Sequence, residues 1–270
     1  MPVATAPSLD WEHAVIAYAI LVIAAFLVTW VVTDRLHMRR TRYVAILALL
    51  ALTLLGAELA WSGTSFVDLV VPRWGLGVMG GLLAALGMAP LVRRASADRS
   101  QREMSIVKQF LWEAGVYGIA EALILAALPV LVVWQGAQAL GWTQSEWTRI
   151  GAGAMAILGA LIVIAAHHLG YREFRTRAAR PKLGGALLAC GAQALAFLLT
   201  GNLLAPIVAH VLLHAQMISR RIELPPAEGI ERQNGRGTAI VHWMGRPSWD
   251  RSEDENESAP RDVGFAEWRA

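Results

Sequence analysis

Two histidines one helical turn apart stand inside the apolar stretch Leu203-Leu204-Ala205-Pro206-Ile207-Val208-Ala209-His210-Val211-Leu212-Leu213-His214. At i and i+4 their imidazoles share a helix face, about 6 Å apart along the axis. Ionisable groups in hydrocarbon are costly, so the pair reads as a functional site whose partners have to be found. The other intramembrane candidates are few: Glu113, Tyr117 and Glu121 in one apolar run, His167 and His168 in another. Glu113, Tyr117 and Glu121 recur at i, i+4 and i+8 and so also share a face. Two or three imidazoles with a carboxylate can ligate zinc or another divalent metal, leaving a position for water. The metal would lower that water's pKa and polarise a carbonyl. Without a metal, a carboxylate can serve as general base while histidines stabilise an oxyanion. Both routes hydrolyse an amide.

The elements that must position these groups are membrane spans. Of 270 residues, 56% are hydrophobic and 17% charged, too apolar for an ordinary soluble domain. Seven apolar runs predict an all-α polytopic membrane protein with about seven transmembrane helices. They cover roughly 14–32, 43–61, 74–92, 109–134, 148–170, 183–199 and 203–219. Asp10 and Glu12, rather than basic residues, precede the first run, so it is expected to stay as a permanent span. Cys190 is the only cysteine, which excludes an intrachain disulfide. The net charge of +3 gives no reason to expect nucleic acid as a partner. The lipid bilayer is the partner the composition demands.

Sixteen Lys and Arg residues lie in the loops after spans one, three, five and seven, against Arg73 and Arg149 in the others. The positive-inside rule then puts the N-terminus outside and the C-terminus in the cytoplasm. Counted at 1.5 Å per residue from the cytoplasmic ends, Glu113, His168 and His214 lie within roughly 3–8 Å of the inner boundary. His210 is expected one turn deeper, Glu121 deeper still near the midplane, and His167, near a helix end, as an interfacial or satisfied residue. Spans one, two, three and six offer almost no interior charge, and Glu58 is placed near the outer end of span two, within reach of the interface. Three regions follow: 1–108, three spans and a cytoplasmic connector; 109–221, a four-span core holding the site; and 222–270, a disordered cytoplasmic tail with the acidic run Glu253-Asp254-Glu255-Asn256-Glu257.

The segment 105–220 resembles the CAAX-processing and bacteriocin-processing (CPBP) intramembrane peptidases, also called type II CAAX prenyl endopeptidases. That family carries E-E-x-x-x-R-G on one helix, F-x-x-x-H on a later one and H-x-x-x-N on a last one. Residues 200–210, Thr200-Gly201-Asn202 through His210, are similar to the approach to the last motif. His168 with Ile164 at the Phe position looks like the middle motif, and Trp112-Glu113-Ala114-Gly115-Val116-Tyr117-Gly118 looks like the first. On this alignment the leading Glu is Trp112, the Arg is Tyr117 and the terminal Asn is His214. The resemblance implies an intramembrane endopeptidase, with metalloprotease chemistry as the working expectation. It would cleave near the membrane anchor of a peptide or protein substrate at the cytoplasmic face of a bacterial inner (plasma) membrane. Glu113, or Glu121 two turns along, would activate water. His168, His210 and His214 would bind a metal or stabilise the tetrahedral intermediate. Two other functions stay open: a catalytically degenerate scaffold of the same fold that binds a partner, and a haem or metal carrier using His168 and His210 as paired ligands.

Overall fold

In a computed structural model of the chain, residues 10–94, 105–220 and 222 are described. All their regular secondary structure is helical, as an all-α polytopic membrane protein requires. The first four helices are α1 (Trp11–Arg35), α2 (Arg40–Ser62), the short α3 (Phe66–Val70) and α4 (Trp74–Arg94). They are followed by α5 (Ile106–Ala139), α6 (Glu146–Gly170), α7 (Arg180–Thr200) and α8 (Leu204–Ser219). Local chemistry sets the boundaries. Gly63 and Gly201 end α2 and α7 in left-handed conformations, with φ of 65° and 66°. Ser65 and Asp68 cap α3 reciprocally, which holds the Asp68 carboxyl below its ordinary range. Ser145 accepts from the Thr148 amide at the start of α6.

Six of these helices are long and apolar enough to cross a membrane. The expected seventh span is shorter. At 16 residues α8 is about 24 Å long, less than the roughly 30 Å of a hydrocarbon core. The chain shortens it by turning inside the bundle. Asn202 is fully buried, and its Nδ2 donates to the carbonyls of Val70 and Pro72 while its Oδ1 accepts from the Leu204 amide. The break Thr200-Gly201-Asn202 is thereby tied to the link between α3 and α4.

The centre of the bundle is α5. It contains two wide π-helical stretches, Phe110–Tyr117 and Ala122–Ala127, in which each bond reaches one residue further than in an α-helix. In its most apolar stretch 83% of residues are buried, against 22–44% for the other long helices. The others wrap it: α1, α2, α6, α7 and α8 all pack on α5, and α4 leans on α7 and α8. Leu21 and Val44 therefore share one core cluster with Ile124, Ala160 and Phe197, and helices from 1–108 interleave with those of 109–221. Outward side chains such as Leu49, Leu83, Leu86 and Leu199 are exposed and apolar, the surface a lipid solvent accepts. Ile222, at the start of the expected tail, packs with Met88 and Met217. Most of the connector between α4 and α5 and the rest of the tail, including its expected disorder, lie outside the described residues.

Small residues bring α4 and α8 together. A Cβ on Gly81 would stand 2.7 Å from the Ala205 carbonyl oxygen and 2.8 Å from Val208 Cβ, whereas one on Gly87 meets nothing within 4 Å. Gly81→Ala is therefore expected to destabilise the protein by about 1–3 kcal/mol through overpacking, despite alanine's better helix propensity. Gly87→Ala should be neutral or stabilising by up to about 1 kcal/mol. Thermal or denaturant unfolding in detergent reads both, and equal effects would show that the close α4–α8 contact is not what glycine preserves.

Candidate metal centre

Five helices meet around one carboxylate. Glu121, on α5 between its two π stretches, is 6% exposed. Its Oε1 lies 3.2 Å from His167 Nε2 on α6, and its Oε2 lies 3.0 Å from His210 Nε2 and 3.1 Å from His214 Nε2 on α8. Behind each imidazole a second contact fixes the ring. His214 Nδ1 donates to the Glu113 carbonyl oxygen at 2.9 Å. His167 Nδ1 donates to Thr29 Oγ1 at 3.0 Å, because that hydroxyl spends its own proton on the Ala25 carbonyl. His210 Nδ1 donates to Gln193 Oε1 on α7.

These contacts favour the Nδ1–H form of each ring. A neutral imidazole has one N–H, and in all three rings the outer contact uses it. Three Nε2 lone pairs then face two carboxylate oxygens at hydrogen-bonding distance, and the Tyr171 hydroxyl, 3.3 Å from His167 Nε2, is the one donor among these contacts. Such an arrangement requires positive charge among them, as protons or as a metal ion. Three imidazolium rings around one carboxylate would leave excess charge buried in an apolar bundle, which is strongly unfavourable.

Whether a metal fits can be judged from the donors. Glu121, His210 and His214 each offer one ligand atom, and these lie within 4.8 Å of one another. Tetrahedral ligands at about 2.1 Å from zinc stand roughly 3.4 Å apart, so small movements suffice. Outer hydrogen bonds from Nδ1 to a carbonyl or amide oxygen are the usual supports of metal-bound histidine. The donor set fits a divalent ion of the zinc type.

The expected residues sort as follows. His210, His214 and Glu121 converge. His168 lines the same cavity, with Nδ1 donating to the Ile164 carbonyl at 2.8 Å, but it is not among the three clustered ligand atoms. Its Nε2 is left bare on the cavity side, and Glu121 takes the third ligand position expected for His168. Glu113 turns elsewhere: its carboxylate lies 3.5 Å from Arg40 Nε, with both side chains largely buried. Only its backbone carbonyl serves the cluster. Glu121 does not stand apart from His214, which lies 3.1 Å from its Oε2. Helical side chains lean toward the N-terminus, so Glu121 reaches back along α5 to the level of His214, and the π stretches shorten the rise between Glu113 and Glu121.

Several participants were not anticipated. His167, expected to be interfacial or satisfied, is fully buried and bonded to Glu121. Tyr171 bonds to His167 Nε2 at 3.3 Å, to Tyr43 at 2.8 Å and to Tyr117 at 3.0 Å, forming a hydroxyl cluster beside the carboxylate. Thr29 and Tyr43 come from spans one and two, which the sequence left without a role. The adjacency of His167 and His168 was the available signal, since neighbours on a helix are 100° apart and both can be buried only where the helix is enclosed. Arg40, at the start of α2, supplies the countercharge to Glu113 and places its guanidinium 5.7 Å from the Tyr117 ring centre.

A cavity of about 70 Å³ opens beside the cluster, lined by Glu121, His168, Tyr171, Cys190, His210 and His214. Leu91, Gly185 and Met217 extend its lining toward the end of the bundle that bears the arginine-rich loops. The pockets that enclose drug-sized ligands run to about 300–1,000 Å³, so a porphyrin does not fit here.

The Arg40–Glu113 pair yields a stability prediction. In a double-mutant cycle, Arg40→Ala and Glu113→Ala are expected to couple by about 1–3 kcal/mol, measured by unfolding in detergent. Additive effects would mean that the two charges are stabilised by other groups.

Compared with the families of known proteins, with characterised proteins and with solved structures, the chain matches none.

Proposed function

We propose that the protein is a CPBP-like intramembrane endopeptidase whose hydrolytic centre is Glu121, His210 and His214, holding a divalent metal. The reading is supported above all by the three Nδ1-protonated histidines that aim bare Nε2 atoms at one buried carboxylate. A divalent ion bound there supplies Lewis acidity and a water of lowered pKa. The residues do the rest. His168 Nε2, unoccupied on the cavity side, accepts the proton of the attacking water and returns it to the leaving amine. The Tyr117 and Tyr171 hydroxyls, on the cavity wall, stand as donors for the developing oxyanion. Gln193 and the Glu113 carbonyl keep His210 and His214 in the tautomer the site needs.

The cavity lies at the end of the bundle bearing the basic loops, which the positive-inside rule assigns to the cytoplasm. Its apolar mouth suits a peptide segment next to a membrane anchor, and the inner membrane of a bacterium is the proposed location. A second reading has one observation in its favour: at about 70 Å³ the cavity admits a side chain more readily than a backbone. On that reading the cluster holds a metal without hydrolysing anything, in a carrier or a scaffold.

Purified protein is expected to contain one divalent ion per chain, by elemental analysis, and His210→Ala or His214→Ala should lose it. In proteoliposomes, a quenched fluorogenic peptide tethered by a C-terminal lipid is the substrate to use. Glu121→Ala should lower turnover by at least about 10³-fold, and His168→Ala by about 10²–10⁴-fold while retaining the ion. Glu113→Ala should keep turnover while losing stability. A stoichiometric ion without cleavage of any tethered peptide would favour the carrier reading. Absence of bound metal from active protein would replace the ion by protons.

A further inference from the structure

At the other end of α2, 18 residues or about 27 Å from Arg40, a second cavity of about 80 Å³ lies between α1, α2 and α5. Its lining is apolar apart from one carboxylate: Ala17, Ile20, Leu21, Leu54, Ala57, Trp61, Leu128 and Val132 surround Glu58. Expected to reach the interface, Glu58 is instead only 4% exposed, and its Oε1 has no hydrogen-bond partner. A buried carboxylate oxygen without a donor is an unfilled requirement, because such groups are retained where something pairs with them.

The lining restricts what that something is. A hard inorganic cation needs about six oxygen ligands, and the cavity presents one carboxylate. A transition metal needs imidazole or thiolate, and none lines this cavity. An organic cation fits better, because it brings carbon for the Leu, Ile and Val walls and N–H donors for Glu58. A primary ammonium is favoured over a quaternary one, since only the former can donate to the unpaired oxygen. At the rim stands Trp61, half exposed and 5.5 Å from the His13 ring, with a face able to attract a cation. The rim residues Ile20, Ala57 and Trp61 are exposed on the lipid-facing side, and Glu58 lies one turn from the end of α2. That depth is where headgroups meet hydrocarbon.

We propose that this cavity binds a primary ammonium group carried by an amphiphile that enters from the lipid side, with Glu58 as its anion and Trp61 as its aromatic rim. The site is separate from the Glu121 cluster and does not depend on the peptidase reading.

Native mass spectrometry of the full chain, delipidated in a neutral detergent, tests the proposal with four probes. These are phosphatidylethanolamine, phosphatidylcholine, phosphatidylglycerol and dodecylammonium. One phosphatidylethanolamine per chain should be retained, at least tenfold more tightly than either other phospholipid, and dodecylammonium should displace it. Glu58→Gln should lower that affinity at least tenfold. Should Glu58→Gln fail to fold, Ala57→Trp, which fills the mouth from the lipid side, carries the same expectation. Binding of dodecylammonium without phosphatidylethanolamine would uphold the site and assign it to single-chain amines. Equal retention of all three phospholipids, or undiminished affinity in the variants, would overturn the proposal.

Discussion

The constraint on which the structure depends is the balance of charge around Glu121. Three lone pairs and a carboxylate face one another inside a bundle whose solvent is hydrocarbon, and each outer hydrogen bond commits a histidine to that face. Water cannot relax the arrangement as it would at a surface, so the geometry is tolerable only with cationic charge at its centre. Every helix that touches the cluster serves this requirement. α1 brings Thr29, α2 brings Tyr43, α6 brings His167, α7 brings Gln193 and α8 brings the histidine pair.

Backbone irregularity is concentrated where it helps. α5 is the most enclosed helix, and it is also the one with π stretches on both sides of Glu121. Wider turns are tolerated in lipid because the backbone bonds stay satisfied within the helix, and such turns are frequent at functional sites. The shortening of α8 has a comparable logic. By starting at the buried Asn202 junction, α8 spends its 16 residues between that anchor and the end near the arginine-rich loops. This sets the height of His210 and His214 relative to Glu121. Gly77 and Gly80 on α4 leave room for Asn202 and Thr200 at the α7–α8 break, and Gly81 lets α8 approach closely at Ala205 and Val208.

Hydropathy alone sufficed for six of the seven expected spans, because twenty consecutive apolar residues have few alternatives. The histidine pair and Glu121 were equally visible as costly groups in apolar runs. What periodicity could not supply was direction. Its place near a helix end left His167 as interfacial or satisfied, and α1 decides between the two by covering that end: a Cβ on Gly170 would meet Thr29 at 2.7 Å. Arg40 looked like one of four interfacial arginines and Glu113 like the catalytic carboxylate, and only three-dimensional packing paired them. Glu58 was misplaced for the same reason, since a residue one turn from a helix end can point inward as readily as outward. Of the Tyr43–Tyr117–Tyr171 cluster only Tyr117 was marked, on the face of Glu113 and Glu121; its members are 54 to 128 residues apart in pairs, with nothing local to join them.

The displacement of the carboxylate from 113 to 121 bears on the resemblance itself. A motif read along a helix assumes that role follows register, whereas the requirement at this site is a position in space beside His210 and His214. Two departures from the CPBP pattern compensate each other in that space. With His214 at the position of the terminal Asn, the ring can accept support from the Glu113 backbone on one side and meet Glu121 on the other. The Glu113 side chain is thereby free to neutralise Arg40, and the position of the motif's Arg can be held by Tyr117, whose ring packs against both Arg40 and His214. On the proposed CPBP-like reading, the same kinds of polar group surround the site, one or two turns away from where the linear motif would put them.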